Sequence, residues 1–225
     1  MFTFAGNCYD LNRKLQPSLK SNQLYIMKKI YIAFAGLLFT FLFTGTVMAQ
    51  KMYIKFIDSK NNELTTNASP FAPNATSVNL KNYMEVSSIQ FGADQNITTG
   101  IEGISAGKIT FGDFSFTTFT NLASTKLLQN QVSGSRLKTV EMIMLGSDQK
   151  NNLQVTYKIV LTTAAIKNFS ASAAGDCANG CAGLNESYSI LYESIQIFTY
   201  SQKADGTVTQ NPSSFSWDIV KNAAQ

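Results

Sequence analysis

Apolar and polar residues alternate through much of the second half of the chain. Leu153, Val155, Tyr157, Ile159 and Leu161 interleave with Gln154, Thr156, Lys158 and Thr162, broken only at Val160. That two-residue period predicts a half-buried antiparallel strand. Ser187–Tyr200 starts with Tyr188, Ile190 and Tyr192 on one parity and then moves to Ile195 and Ile197, which places a bulge near Glu193-Ser194. Phe215, Trp217 and Ile219, separated by Ser216 and Asp218, predict a last strand, and Asp205-Gly206 signals a hairpin turn before it. Leu137–Leu145 is apolar on both parities, the pattern of a strand covered on both faces.

The first half is less regular. Met52–Asp58 and Tyr83–Phe91 read as strands. Ser59–Asn82, rich in Asn and carrying Pro70 and Pro73, reads as a long surface loop, and glycine-punctuated Gly92–Gly107 as a second, mobile one. Over Lys108–Phe119, Ile109 and Phe111 share one parity and Phe114 and Phe116 the other. The change falls on Gly112-Asp113 and predicts a β-bulge in which Gly112 takes an unusual dihedral. One helix is expected: Ser124 as cap, Thr125–Gln131 as body and Gly134 as stop. Ala123, Leu127, Leu128 and Val132 would form its apolar stripe, and Lys126, Gln129 and Asn130 its polar face. Seven or eight strands with one side helix predict a mainly β fold: a small antiparallel β-barrel of two packed sheets, closed or nearly so.

An N-terminal segment changes the organisation. Met27, Lys28-Lys29, the uncharged run Ile30–Phe43 and then Thr44-Gly45-Thr46-Val47-Met48-Ala49 follow the order of a secretory signal peptide. The apolar run falls short of the roughly 20 residues that span a bilayer. Cleavage between Ala49 and Gln50 is expected, against the alternative of an uncleaved anchor. Residues 1–26 are then an upstream extension or a misassigned start, residues 27–49 the signal peptide and 50–225 one domain. No membrane anchor would remain, and the protein would be periplasmic or secreted, or cytoplasmic if the signal is unused.

Charge follows from that division. The chain has 18 Lys+Arg and 14 Asp+Glu, but five bases and one acid lie before Gln50, leaving the expected mature part neutral. Neutrality gives no reason to expect nucleic acid as a partner and leaves little repulsion between copies. Histidine is absent, so no mechanism can use an imidazole as base, ligand or proton shuttle. The acids are dispersed, and no catalytic, cofactor or metal site is expected. Cys177 and Cys181 read most simply as a disulfide in an exported protein. Closing that short loop would contribute about 2 kcal/mol. Half of a metal site is the alternative, but it lacks further ligands. Asn-x-Ser/Thr triplets begin at Asn67, Asn74, Asn96, Asn168 and Asn185; in so polar a chain chance accounts for most, and no glycan is assigned.

Several strings fall in a familiar order: Met52-Tyr53-Ile54-Lys55, Gly107-Lys108-Ile109-Thr110 before Phe114-Ser115-Phe116-Thr117, Gln154-Val155-Thr156-Tyr157, Ile195-Gln196-Ile197 before Tyr200–Gly206, and Phe215–Ile219. Together with the helix, this series resembles the haemolysin-coregulated protein (Hcp) family, the tube protein of bacterial type VI secretion. The resemblance implies a non-enzymatic protein without cofactors that forms homo-hexameric rings, stacked into a tube that carries effectors. Its partners would be itself, other secretion-system components and effector cargo. It also implies that Gly92, Gly100, Gly103 and Gly107 mark the extended loop that meets neighbouring rings. Tube-building members normally carry no signal peptide, and in this the chain departs from them. A second reading, from another class, is a secreted monomeric β-barrel that binds a glycan, a protein or a small apolar ligand.

Overall fold

The computed structural model describes residues 50–70, 72–73, 75, 78–101, 103–148, 152–173, 183–203, 205 and 207–225. These all fall within the unit Met48–Gln225. The expected signal segment, including Ala49, and both Cys177 and Cys181 lie outside the described residues.

The strands in chain order are β1 (Lys51–Asp58), β2 (Met84–Val86), β3 (Ser88–Gln90), β4 (Ala93–Gly100), β5 (Gly103–Phe111), β6 (Phe114–Phe119), β7 (Leu137–Ser147), β8 (Leu153–Ser172), β9 (Asn185–Gln202), β10 (Val208–Gln210), β11 (Phe215–Asp218) and β12 (Ala223–Ala224), with helix α1 (Ser124–Val132) between β6 and β7. Every strand pair is antiparallel. The architecture is therefore mainly β with one helix, as the alternation predicts. The central order is β12-β11-β9-β8-β7-β1-β2, with β6 joining β9 to β3, while β4 and β5 form a separate two-stranded sheet.

No continuous ladder closes this sheet into a barrel. The expected second strand is split at Ser87: β2 ladders with β1 and β3 with β6. At the break, the Ser87 N–H donates to Thr117 O (2.8 Å) and Thr118 Oγ1 donates to Glu85 O (2.7 Å).

The main core gathers Ile54, Phe56, Phe114, Phe116, Ile159 and Ile190 among others. Phe116 stacks on Tyr188 with centroids 4.9 Å apart. Strand β7 explains its double parity: Val140 and Met142 enter this core, whereas Ile143 and Leu145 join Tyr53, Leu80, Tyr83 and Val155 in a second cluster. Residues 59–82 are therefore more than a surface loop. Leu80 supplies part of that second cluster, and a 3-10 turn at Leu80–Asn82 leads to Tyr83, which also belongs to it.

Three local expectations are corrected. Gly112 is not among the described positive-φ residues. The parity change there marks a change of sheet, because β5 pairs with β4 whereas β6 pairs with β3 and β9. Ser124 does not cap α1 as the residue before it: it is the first helical residue, and Ala123 holds the cap position without a side-chain bond. Ala123 and Leu127 are buried as expected, but Leu128 and Val132 are exposed, and Asn130, assigned to the polar face, is buried. The helix ends as predicted. Gly134 has φ +64°, its N–H donates to Gln131 O (3.0 Å) and the Ser135 N–H to Asn130 O (3.1 Å), the two bonds of a Schellman motif.

Candidate assembly surface

The segment Gly92–Gly107, expected as a mobile loop, is instead mostly a regular hairpin. Ala93 pairs with Phe111, Gln95 with Ile109, Ile97 with Ala106 and Gly100 with Gly103. Between Gln95 and Ile97 the register shifts, so β5 carries an extra residue. Gly107 sits at that shift, where an added Cβ would come within 2.9 Å of Asn96 O. Gly103 closes the two-residue turn with φ +108°, a conformation that favours glycine. Gly100 is its ladder partner, and Gly92 O accepts from the Gly112 N–H at 3.0 Å, closing the base. All four expected glycines therefore fall on one hairpin and its base.

The body holds the hairpin only at that base. Phe91 stacks on buried Phe114 with centroids 6.1 Å apart, and Phe111 meets Phe215 at 6.4 Å. Phe215 in turn stacks on Trp217 at 6.4 Å. Beyond this collar every described residue from Ala93 to Lys108 is exposed, including Ile97, Ile104 and, fully, Ile101. A two-stranded hairpin is marginal by itself in water. One that carries isoleucines into solvent has the character of an interaction element.

Three acidic side chains, Glu141, Asp113 and Glu186, are occupied with structural work. Glu141 accepts from Lys158 Nζ (2.8 Å) and from the Tyr83 hydroxyl, and Lys55 Nζ lies 5.0 Å from the Tyr83 ring centre. Burial pushes the Glu141 carboxyl up, but Lys158 and Tyr83 outweigh it and hold it below the usual range. Asp113 accepts from Lys167 Nζ and Ser189 Oγ, each at 2.8 Å, and these bonds lower its pKa. Buried Glu186 accepts from Thr120, Ser124 and Tyr188 hydroxyls at 3.0, 2.8 and 2.9 Å. Among the described residues no group of three or more His, Cys, Asp or Glu could hold a metal ion. A cavity of about 540 Å³, lined by Gln50, Lys51, Pro73, Leu145 and Leu153 among others, is predominantly apolar and has no converging set of polar groups. No helix among the described residues is long and apolar enough to cross a membrane.

Comparison with known proteins fits this element order. The family model described as "Type VI secretion system effector, Hcp" matches residues 71–200, more than half of the chain. The chain belongs to the Hcp family. Among solved structures it is similar to a type six secretion system protein, at 19% identity over 79% of this chain and 100% of the other, with a TM-score of 0.64. It is also similar to an Hcp protein, at 18% identity over 72% and 98% of the two chains, with a TM-score of 0.56. A third similar structure is Hcp1 from Salmonella typhimurium, at 18% identity over 79% and 100%, with a TM-score of 0.53. At these identities the likeness is one of fold. No curated protein matches the sequence at a significant level.

Proposed function

We propose that this Hcp-family chain is a non-enzymatic structural subunit that assembles into homo-hexameric rings, and that its β4–β5 hairpin reaches a neighbouring ring. The observation that carries this reading is the hairpin itself, an ordered two-stranded element with Ile97, Ile101 and Ile104 in solvent and no packing beyond its base. Neutral charge after Gln50 removes repulsion between copies. Exposed Leu128 and Val132 on α1 and Leu191 on β9 supply further apolar positions for lateral contacts. Curling of the main sheet across the Ser87 break would give each subunit a barrel-like body.

Multi-angle light scattering after size exclusion tests the reading. A mass near six subunits is expected, and a strict monomer at high concentration would sink it. The proposal includes export through the segment Met27–Ala49. N-terminal sequencing of the protein from each cell compartment should find Gln50 first outside the cytoplasm; an intact Met1 or Met27 confined to the cytoplasm would refute export. The apolar cavity beside Leu145 and Leu153 supports one second reading, a monomeric binder of a small apolar ligand. Saturable binding of an apolar fluorescent dye to a monomeric species would favour it, and a hexamer that ignores the dye would not.

A further inference from the structure

Three strand ends meet at one corner of the main sheet: the start of β1, the end of β7 and the start of β8. Lys51 is the ladder partner of Leu145, and Ser147 that of Leu153. The register shift between Met144 and Leu145 leaves Thr156 as an extra residue of β8. An added Cβ on Gly146 would come within 2.8 Å of Thr156 Cγ2, so the bulge needs bare backbone beside it. The segment before β2 packs on this corner. Ala75 bridges to Leu153, and Ala72 and Val78 pack on the second cluster. Pro73, between these anchors, lines the cavity of about 540 Å³ together with Leu145, Gly146, Leu153 and Thr156.

The cavity wall is apolar partly because Thr156 Oγ1 is turned to the backbone, donating to Met144 O at 3.2 Å. Among the described lining residues the one charged group is Lys51. A lysine lays its methylene stem along apolar surface and keeps its ammonium toward water, which places a positive charge at the rim. Its partner Glu85 is 3.6 Å away, and the two side chains are 43% and 56% exposed. A charge-assisted hydrogen bond is shorter, about 2.7–2.9 Å, and an exposed pair of this kind contributes little. The ammonium is therefore free to turn to another anion. Two residues along the same face of β1, the buried Tyr53 hydroxyl has no hydrogen-bond partner among the described residues. This end of the second cluster thus offers donors beside an apolar hollow. A hollow of this volume with apolar walls and one placed charge has the form of a small-molecule site.

We propose that the cavity binds an anionic amphiphile, with a single apolar chain lying between Pro73, Leu145 and Leu153 and a carboxylate-like head on Lys51. The inference rests on the cavity of the second reading above, names its ligand class and does not require the chain to be a monomer.

Isothermal titration calorimetry on the protein as the cell produces it tests this, with decanoate below its micellar concentration as the probe and decanol and decylammonium as neutral and cationic controls. Decanoate should bind saturably, once per subunit, and about tenfold or more tighter than decanol. Decylammonium should bind more weakly than either. Lys51→Gln should bring decanoate down to the affinity of decanol and leave decanol unchanged. Leu153→Trp, which fills the cavity, should abolish both, with a thermal melt showing that the variant is folded; if it does not fold, the Lys51→Gln comparison decides. Equal binding of decanoate and decanol, or decanoate affinity that survives Lys51→Gln, would overturn the anionic ligand while sparing the apolar one of the second reading. Binding that survives in folded Leu153→Trp, or no binding of any probe, would overturn both. Light scattering on the same samples reads the subunit mass independently, so the ring reading stands or falls by itself.

Discussion

The hydroxyl of Ser124, at the start of α1, donates to the carboxyl of Glu186 in β9 across 2.8 Å, joining residues 62 apart in the chain. Tyr188 shares the same oxygen at 2.9 Å, and Thr120 takes the other at 3.0 Å. One buried carboxyl therefore fastens the helix entrance, the end of β6 and the start of β9.

Replacing Glu186 by Ala removes the shared acceptor of three hydroxyls, at least one of which, on Ser124, belongs to a buried residue. A loss of about 2–3 kcal/mol is expected. In a domain of this size that lowers the melting midpoint by roughly 5–10 °C, measurable by circular dichroism. An unchanged midpoint would show that the carboxyl is not a fastener.

Two tyrosines set an alkaline limit. Burial, with a smaller contribution from Glu85, pushes Tyr53 up to about 12, and burial with Asp113 does the same to Tyr192. An unfolded tyrosine titrates near about 10. The folded state therefore disfavours the phenolate. The stability tied to these hydroxyls is complete below about pH 10 and is lost as pH rises through about 12. Phenolate absorbance should show these two groups ionising late, together with loss of the near-ultraviolet dichroism. Ionisation of all tyrosines near pH 10 in the intact fold would contradict this.

Lys158→Met should invert the acid response of Glu141. With Lys158 present, the folded carboxyl sits below its ordinary value, so its contribution is present above the unfolded pKa and fades as pH falls through the folded one. Without the ammonium, burial dominates and the charged form is penalised near pH 7. The variant should lose about 1–3 kcal/mol at neutral pH, and the deficit should shrink on acidification toward about pH 4. Urea unfolding at both pH values checks the sign.

Gly107→Val separates hairpin from body. Its Cβ would collide with Asn96 O at 2.9 Å, so the two strands cannot keep their register. The buried core is elsewhere, and stability should change little, by under about 1 kcal/mol in a thermal melt. Assembly beyond the ring should fail. Normal stacking by this variant would dissociate the hairpin from that role.

Gly134→Ala probes the helix stop. At φ +64° a side chain is strained, and about 1 kcal/mol should be lost, a fall of roughly 2–4 °C in the midpoint. The same substitution at Gly92, where an added Cβ would meet nothing within 4 Å and φ is not positive, should be silent in the same melt.

Legibility followed the strength of the periodic signal. The alternation of Leu153–Leu161 and the parity change at Ile195 matched observed strand burial because the apolar face of each strand packs on a core, Val155 on the second cluster and Ile159, Leu161 and Ile195 on the main one. The hairpin was missed because its body packs on nothing: with residue after residue exposed, its composition shows no alternation, and its polar and glycine-rich string reads as a loop. Glycine spacing was the one available clue, and the resemblance rather than the periodicity gave those glycines a role. Leu128 and Val132 fit a helical stripe by spacing, yet the sheet contacts the Ala123–Leu127 side and leaves them in solvent.

The chain by itself determined which core-facing segments extend, where α1 stops and which chemistry is excluded, because these depend on side-chain period, local dihedral preference and the absence of histidine. Tertiary structure alone decided that β2 and β3 part at Ser87, that Glu186 is buried among hydroxyls and that the β4–β5 hairpin joins the body at the Phe114 end of β6. Those outcomes depend on ladders between residues distant in sequence, and strand pairing across such separations leaves no trace in any local window.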